Sequence, residues 1–290
     1  MKDYHDLNPL ESGINWSALR DILLLTPRHF YHRHLIGNRI DPTKAMTLGR
    51  FYHAYLLDPA ECRGEFACMP DAPSSYTGAR YWSSKEGKEV MEEFKALNAG
   101  CEIMQLADYD NAAAMTKALV SKPDSAGWLI HYAGENEKAF QWEVDVPGFK
   151  QPVLCRGKLD RLVEHEGKKY VVDYKTCRTT PTRDFFGREV GQRLYHAQLA
   201  FYADGVGADG AILVPQETSA PFDSSVYKLS DQVLADGREI YALALTRYAE
   251  CLMEYVLADP AKASAAWPGL KGTQNLSRED MGGWASRDFS

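Results

Sequence analysis

The chain has 290 residues, of which 45% are hydrophobic and 25% charged, and its net charge is −7. This composition is that of a globular protein and excludes a disordered, collagen-like or coiled-coil chain. The longest aliphatic run covers only residues 22–25, so no segment could span a bilayer, and the polar first residues lack the apolar stretch of a signal peptide. We therefore expect a cytoplasmic protein with no membrane partner, whose six scattered cysteines are free thiols rather than zinc ligands.

The first third of the chain predicts helices. Apolar residues at helical spacing indicate one helix over residues 15–24, and Thr26-Pro27 supplies the N-cap and first residue of a second helix that runs to about Leu35. The same kinds of signal predict further helices over residues 43–57, 84–98 and 110–121. No repeat and no flexible linker divides this helical part from the middle of the chain.

The middle of the chain changes to the period of β-strands. Residues 139–146 alternate between apolar and polar side chains, and two further strands, over 153–164 and 169–176, are joined by a turn at 164–167. The remaining predicted elements are a helix over 183–202, short strands over 211–214 and 225–229, and a long helix over 231–257. This order predicts an α/β fold in which a mixed central sheet is flanked by helices, with an N-terminal helical region.

These elements divide the chain into three parts. Residues 1–135 form the helical part, residues 136–258 form the core with the central sheet, and residues 259–290 form a polar tail. In the tail, Trp267 and Trp284 are expected to act as isolated anchors.

Charge is distributed unevenly along the chain. Residues 150–200 hold eleven basic and six acidic residues, a net charge of +5, which leaves −12 for the remainder. A basic segment in an acidic chain indicates a surface that binds an anion such as nucleic acid. A solvated basic face is the alternative interpretation.

Two carboxylates and a lysine are predicted to meet on the hairpin. Because side chains alternate along a strand, Asp173 and Lys175 point to the same side, and the short turn brings Asp160 beside them. Mg²⁺ prefers carboxylate ligands, and a lysine beside it can orient and help to deprotonate a water or neutralise charge in a phosphorane-like transition state. A surface ion pair is the alternative, but charges on the buried strand of Val171 and Val172 are costly unless they serve a function.

A histidine on the third predicted helix is a further candidate ligand. His53 shares a helix face with Gly49, which we expect to leave room for close approach of another element. An imidazole can complete a metal site made otherwise of carboxylates. The alternative is a histidine that is only packed or solvated.

An aromatic and amide stripe marks the helix that comes after the hairpin. Spacings of three and four residues place Tyr195, Gln198 and Tyr202 on one side. These groups could hydrogen-bond a phosphate or hold the lysine in place. A stripe that only faces the core is an equally good interpretation of the spacing alone.

Four motifs in this order resemble those of the PD-(D/E)XK nuclease superfamily. They are G-x-x-x-H ending at His53, G-x-x-D-R around Asp160, D-x-K from Asp173 to Lys175 and Q-x-x-x-Y from Gln198 to Tyr202. More narrowly, the set looks like the RecB-like branch and, within it, the nuclease domains of the exodeoxyribonuclease VIII (RecE) type. The similarity covers nearly the whole chain, and the order of four individually weak motifs makes it specific.

The resemblance implies a restriction-endonuclease-like fold and a set of site residues. The implied metal ligands for Mg²⁺, or Mn²⁺ in its place, are His53, Asp160, Asp173 and the carbonyl of Tyr174. Lys175 would act on the attacking water, with Gln198 and Tyr202 in support. From their charge or position, Thr176, Arg161 and Arg178 are candidates for contact with the DNA backbone, and Glu143 is a weaker candidate for the site.

The implied activity is that of a Mg²⁺-dependent exodeoxyribonuclease acting on double-stranded DNA ends. By resemblance it degrades 5′ to 3′ and leaves a 3′ single strand for recombination, in a phage or prophage setting. The resemblance also implies a homo-oligomer, most simply a tetrameric ring, and a single-strand annealing recombinase as partner. The alternatives are an endonuclease and a non-catalytic DNA-binding module on the same fold, and the intact Asp160, Asp173 and Lys175 set argues against the second.

Overall fold

The computed structural model describes residues 7–38, 40–75, 78–257 and 260–270. Its first third is helical, as predicted. The helices of this part are α1 (Pro9–Ser12), α2 (Trp16–Leu24), α3 (Pro27–Phe30), α4 (Lys44–Leu57), α5 (Pro59–Glu65), α6 (Gly78–Ser83), α7 (Lys85–Leu97), α8 (Leu106–Val120) and α9 (Pro123–Ala126). Side chains that accept a hydrogen bond from the first turn fix where α2, α4 and α7 begin, and they are Asn15, Thr43 and Ser84.

The periodicity of the sequence does not predict the short elements of this region. The second predicted helix continues beyond α3 as a single π-helical turn, Tyr31–Leu35. A parallel pair of three-residue strands, β1 (Phe66–Cys68) and β2 (Glu102–Met104), was not predicted. Three residues contain too few side chains to reveal a period of two, and the pairing depends on chain segments far apart in sequence.

A five-stranded mixed sheet forms the centre of the molecule. Its strands are β3 (Gly134–Val144), β4 (Val153–His165), β5 (Lys168–Cys177), β6 (Gly210–Glu217) and β7 (Tyr227–Lys228), in the order β3-β4-β5-β6-β7. The first three strands form an antiparallel meander, β6 is parallel to β5, and β7 is antiparallel to β6. The predicted α/β fold with a mixed sheet flanked by helices is confirmed.

The crossover between β5 and β6 differs from the single predicted helix. It consists of α10 (Arg183–Gln192) and α11 (Tyr195–Val206), which are separated at Leu194 by a left-handed backbone with φ of 57°. The prediction of one helix over 183–202 is therefore wrong. A non-glycine residue at positive φ carries no distinctive sequence signal, and packing of α11 on the sheet sets the break.

Hydrophobic clusters cover both faces of the sheet. Helices α2 and α11, together with α12 (Asp231–Leu257), lie on one face, where Val171 of β5 is buried. Helices α4 and α8 lie on the other, where Val172 and Tyr174 are buried. The catalytic candidates on β5 therefore lie between two apolar layers, in a part of the molecule that packing holds rigid.

The described part of the tail packs onto the core. After α12, a 3₁₀-helical segment, Pro260–Ala266, leads to Trp267, which is fully buried. The Trp267 ring lies 4.9 Å from that of Phe30 and 6.1 Å from that of Tyr248. Trp267 is thus an anchor, as predicted, and Trp284 lies outside the described residues. Within the described ranges, no helix has the length and apolar character needed to cross a membrane.

Candidate active site

The β4–β5 hairpin opens where its two aspartates would face each other. The ladder ends at Arg161 and Val172, one position short of Asp160 and Asp173. Instead, the Asp160 carboxylate accepts a hydrogen bond of 2.7 Å from the backbone N–H of Tyr174. The carboxylate thus replaces the backbone carbonyl that would accept this hydrogen bond in a regular ladder. The bond fixes Asp160 beside the strand that carries Asp173, so the hairpin brings the two residues together as predicted.

The buried Asp173 and the half-buried Lys175 form an ion pair on one side of β5. The Nζ atom of Lys175 lies 2.6 Å from Oδ2 and 2.8 Å from Oδ1 of Asp173, and it donates a hydrogen bond to Oδ1. Asp173 is only 2% exposed. On its other side the ammonium lies 5.0 Å from the centre of the Tyr195 ring, a cation–π distance. The lysine is therefore held in one position before any substrate arrives.

His53 reaches the same site from α4. Its Nδ1 atom lies 3.4 Å from Oδ2 of Asp160, and its ring centre lies 5.0 Å from that of Tyr174. A Cβ atom placed on Gly49, one turn earlier, would lie 3.8 Å from Oγ1 of Thr176, which is ordinary contact distance. The structure thus brings His53 to the aspartates as predicted, but packing does not require a glycine at position 49.

The cluster joins two carboxylates to one lysine and one histidine. Burial raises the pKa of Asp173 to about 6, with Lys175 opposing the shift and Asp160 adding to it. Burial acts against the charged forms of the other three groups, yet the opposite charges outweigh it: the pKa of Asp160 is lowered, and those of His53 and Lys175 are raised. A further positive charge at this place would relieve the repulsion between the carboxylates.

The donor set fits a divalent cation in chemical type and charge. Imidazole and carboxylate are common ligands of such ions, and the buried Oδ2 of Asp173 accepts no hydrogen bond of good geometry from the described residues. In the described part of the chain, no three His, Cys, Asp or Glu side chains surround a common point. Instead, His53 contacts Asp160, and Asp173 contacts Lys175. Each carboxylate thus has one basic neighbour within contact distance.

The predicted stripe on α11 divides into two parts. Nε2 of Gln198 donates a hydrogen bond of 3.1 Å to the hydroxyl of Tyr202, and the Tyr202 ring packs edge-on against Phe140 at 5.7 Å. The member of the stripe that contacts Lys175 is Tyr195. The spacing placed Tyr195 on this stripe, for which holding the lysine was one suggested role, but the family motif contains only Gln198 and Tyr202.

A third carboxylate near the site was missed. Glu137 stands opposite Asp160 in the β3–β4 register, and its own backbone is left-handed, with φ of 52°. Its carboxylate lies 2.6 Å from Nζ of Lys158. Burial raises the pKa of Glu137, with Lys158 opposing the shift and Asp160 adding to it. The predicted strand began two residues after Glu137, so its register could not be derived.

The weaker candidate Glu143 does not reach the site. It pairs with Leu154 in the β3–β4 ladder. Leu154 precedes Asp160 by six residues on β4, a distance of about 20 Å along an extended strand. A strand is thus present where one was predicted over 139–146, but the acidic residue near the site is Glu137, which precedes that range.

The structure separates the three candidates for DNA contact. Arg161 is 6% exposed, and its guanidinium donates to the carbonyl of Tyr132 and to the side chain of Asn136. The prediction that Arg161 contacts DNA is therefore wrong, because it ties β4 to the turn before β3. Arg178 is exposed beyond the end of β5, and Thr176 is half-buried near Gly49.

The family described as a PDDEXK-like domain of unknown function (DUF3799) matches residues 17–264. The chain belongs to this PDDEXK-like family. The resemblance to the PD-(D/E)XK superfamily is thereby confirmed. No curated protein matches the sequence.

Several solved structures are similar to this PDDEXK-like domain. A structure provisionally described as an exonuclease, from Eubacterium rectale, has a TM-score of 0.51 and 14% identity, with 93% of this chain and 92% of that chain covered. At this identity, the likeness shows a shared fold alone. A phage-related exonuclease from Haemophilus somnus has a TM-score of 0.32 and 11% identity over 71% and 95% of the two chains. An alkaline exonuclease from Laribacter hongkongensis has a TM-score of 0.30 and 14% identity over 73% and 98%.

Proposed function

We propose that this PDDEXK-like domain is a metal-dependent nuclease that hydrolyses phosphodiester bonds in DNA. The observation that carries the proposal is the position of Lys175, whose ammonium lies between Asp173 and the Tyr195 ring, beside Asp160 and His53. A half-buried lysine beside two carboxylates that repel each other is suited to a substrate that brings both a phosphate and a cation. The family and the fold of the Eubacterium rectale structure support this interpretation.

The proposed cofactor is Mg²⁺, for which Mn²⁺ can substitute. His53, Asp160, Asp173 and the carbonyl of Tyr174 would hold it, and when bound it would supply Lewis-acid activation of the attacking water and of the phosphate. The raised pKa of Asp173 and the repulsion from Asp160 are the features of this chain that favour the cation.

Lys175 contributes positive charge to the reaction. Its pKa is raised, because Asp173 and Asp160 outweigh the effect of burial, so it carries its proton at neutral pH. The ammonium therefore stabilises negative charge that develops on the phosphate oxygens and orients the attacking water, rather than taking a proton from it. Tyr195 limits the positions that the ammonium can adopt.

The remaining residues of the site are proposed to hold or align these groups. The Gln198–Tyr202 hydrogen bond braces the side of α11 that carries Tyr195. Thr176, near the end of β5, and Arg178, just beyond it, would meet the DNA backbone near the cleavage site. Phosphate contacts of this kind position a nucleic acid without reading its sequence.

The proposed substrate is the end of double-stranded DNA, degraded 5′ to 3′ to leave a 3′ single strand. The similarity of the motifs to RecE-type nucleases supports this, as it does a homo-oligomer that threads the DNA end, most simply a tetramer, and a single-strand annealing recombinase as partner. The excess of acidic residues outside 150–200 favours guided entry of an end over capture along the duplex.

Digestion of matched DNA substrates tests the proposal. Linear duplex with a label at the 5′ or 3′ end, and closed circular DNA of the same sequence, are incubated with Mg²⁺, Mn²⁺ or EDTA. We expect loss of the 5′ label from linear duplex, intact closed circles, and no reaction in EDTA. Linearised circles would indicate an endonuclease, and full activity in EDTA would contradict the metal site.

A further inference from the structure

Helix α10 packs against Tyr195, the aromatic residue that contacts Lys175. Phe186, which is 2% exposed, stacks on Tyr227 with ring centres 6.0 Å apart and planes 15° apart. On its other side it lies 6.2 Å from Tyr195, whose ring contacts the ammonium of Lys175. The hydroxyl of Tyr227 donates to the carbonyl of Pro181, just before α10 begins. These contacts fix α10 beside the candidate active site.

The outer side of α10 combines an exposed aromatic ring with exposed cations. Phe185 is 56% exposed although its neighbour Phe186 is buried. Arg183 and Arg188 flank it and are exposed, and neither forms an ion pair with any described residue. Arg178, which precedes the helix, is also exposed. Asp184 is also exposed on α10, and Glu189 pairs with Arg193 at 3.3 Å. The three arginines thus outnumber the one acidic residue here that forms no ion pair with a described residue, and the surface keeps positive charge for an anionic ligand.

This combination matches the chemistry of a nucleic-acid strand. Guanidinium groups bind phosphate oxygens in a bidentate manner, and an aromatic ring stacks on the face of a base. Within a duplex, each base is already stacked on both faces, so a ring on the protein surface can stack only on an end base or an unpaired base. Phe185 and its flanking arginines therefore fit a DNA end better than the side of a duplex.

We propose that α10 is the surface that receives the DNA end. Arg183 and Arg188 contact phosphates, and Phe185 stacks on the terminal or unpaired base, so the DNA end is held by the helix that packs against Tyr195 beside Lys175. This inference rests on the proposed nuclease function and adds residues that the four motifs do not contain. A second copy of this chain is the competing occupant of an exposed apolar ring, and the experiment distinguishes the two.

Fluorescence of a terminal 2-aminopurine tests the stacking. Binding of a duplex with 2-aminopurine at its 5′ end is measured with the Lys175→Ala protein, in which cleavage is blocked, and with the same protein carrying Phe185→Ala. We expect Phe185→Ala to weaken binding about fivefold to hundredfold and to abolish the quenching of 2-aminopurine, and Phe185→Trp to restore both. Leu97→Ala, at an exposed leucine on α7, is the matched control and should change neither.

The salt dependence of binding tests the arginines. The slope of log K against log salt concentration falls by about one for each phosphate contact removed, so Arg183→Ala with Arg188→Ala should lower it by about two. Arg247→Ala, at an exposed arginine on α12, is the matched control and should leave the slope unchanged. Circular dichroism and light scattering of each variant check its fold and its oligomeric state.

The outcomes separate this inference from the proposed function. If wild-type protein neither binds nor cleaves DNA with Mg²⁺ or Mn²⁺, the nuclease proposal fails, and this inference fails with it. If wild-type protein cleaves DNA while the α10 variants keep the affinity, quenching and salt slope of their parent, only this inference is wrong. If Phe185→Ala dissociates an oligomer and leaves DNA binding intact, α10 is an interface between copies, which also overturns it.

Discussion

Two clusters of the same residue types lie in different parts of the molecule and differ in how their charge is balanced. In the N-terminal helical region, Oδ2 of Asp21 lies 3.0 Å from Nη1 of Arg33 and 3.1 Å from Nε2 of His34. One carboxylate there has two basic partners. On the β4–β5 hairpin, Asp160 and Asp173 share Lys175 and a histidine, and the nearby Glu137 is paired with Lys158.

The pKa values record this difference. At Asp21, burial acts to raise the pKa of the carboxyl, but His34 and Arg33 outweigh it and lower the value. At Asp173, burial raises the pKa to about 6, because Lys175 offsets only part of it and Asp160 adds to it. Residue types alone thus do not distinguish a stabilising ion pair from a cation site. The ratio of acidic to basic groups within contact distance does.

Removal of Lys175 should give the largest effect. We expect Lys175→Ala to reduce the rate of DNA cleavage by about 10³-fold, because loss of one group that stabilises the transition state costs about 3–4 kcal/mol. Single-turnover digestion of linear duplex with Mn²⁺ measures the rate, and DNA affinity should change little. A rate within tenfold of wild type would show that this lysine only neutralises Asp173.

Removal of Asp21 should mainly change stability. Asp21→Ala leaves Arg33 and His34 without their shared carboxylate, and we expect a loss of about 2–4 kcal/mol in the free energy of unfolding by urea. Because the pKa of Asp21 is lower in the folded state, its contribution is present above the unfolded value of 3.8 and is lost as pH falls further. Glu92→Ala, in an exposed pair with Lys95, is the control and should cost under about 0.5 kcal/mol.

Removal of the Asp173 charge should increase the free energy of unfolding instead of lowering it. The pKa of Asp173 is raised in the folded state, so its contribution to stability is fully present below pH 3.8 and is lost as pH rises through about 6. Without metal, Asp173→Asn should therefore be more stable than wild type by about 1–3 kcal/mol at pH 8, with the difference vanishing near pH 4. Addition of Mn²⁺ should stabilise wild type more than the variant. Urea unfolding at the two pH values measures this, and destabilisation at pH 8 would contradict the raised pKa of Asp173.

Substitution of Gly49 should give the smallest effect on stability and on the rate of cleavage. A Cβ atom there meets only Oγ1 of Thr176, at ordinary contact distance. Gly49→Ala should therefore raise the free energy of unfolding by about 0.5–1 kcal/mol, as for glycine in a helix interior, and leave the cleavage rate within about twofold. Thermal unfolding with Mn²⁺ present measures the gain. A loss of DNA affinity without a loss of stability would show that DNA needs this space.

The site residues on the hairpin could be predicted because their arrangement is local. A short turn and the alternation of side chains suffice to bring Asp160, Asp173 and Lys175 together, and a capped helix with a clear period suffices for α4 and His53. The same local logic failed for Arg161, since its burial depends on the carbonyl of Tyr132, about 30 residues earlier in the chain. Net charge of a segment says nothing about which of its arginines face solvent.

Periodicity and capping signals were enough to predict the main helices and strands, the mixed sheet, the family motifs and the side of β5 that Asp173 shares with Lys175. Packing between distant segments set the balance of charge around those groups. Strand register brings Glu137 to the position across from Asp160. Tyr195 contacts Lys175 from α11, which begins after the left-handed Leu194. On α10, Phe186 is buried and its neighbour Phe185 is exposed. Distances between charges depend on packing across segments far apart in the chain, and electrostatic energies depend on those distances and on burial.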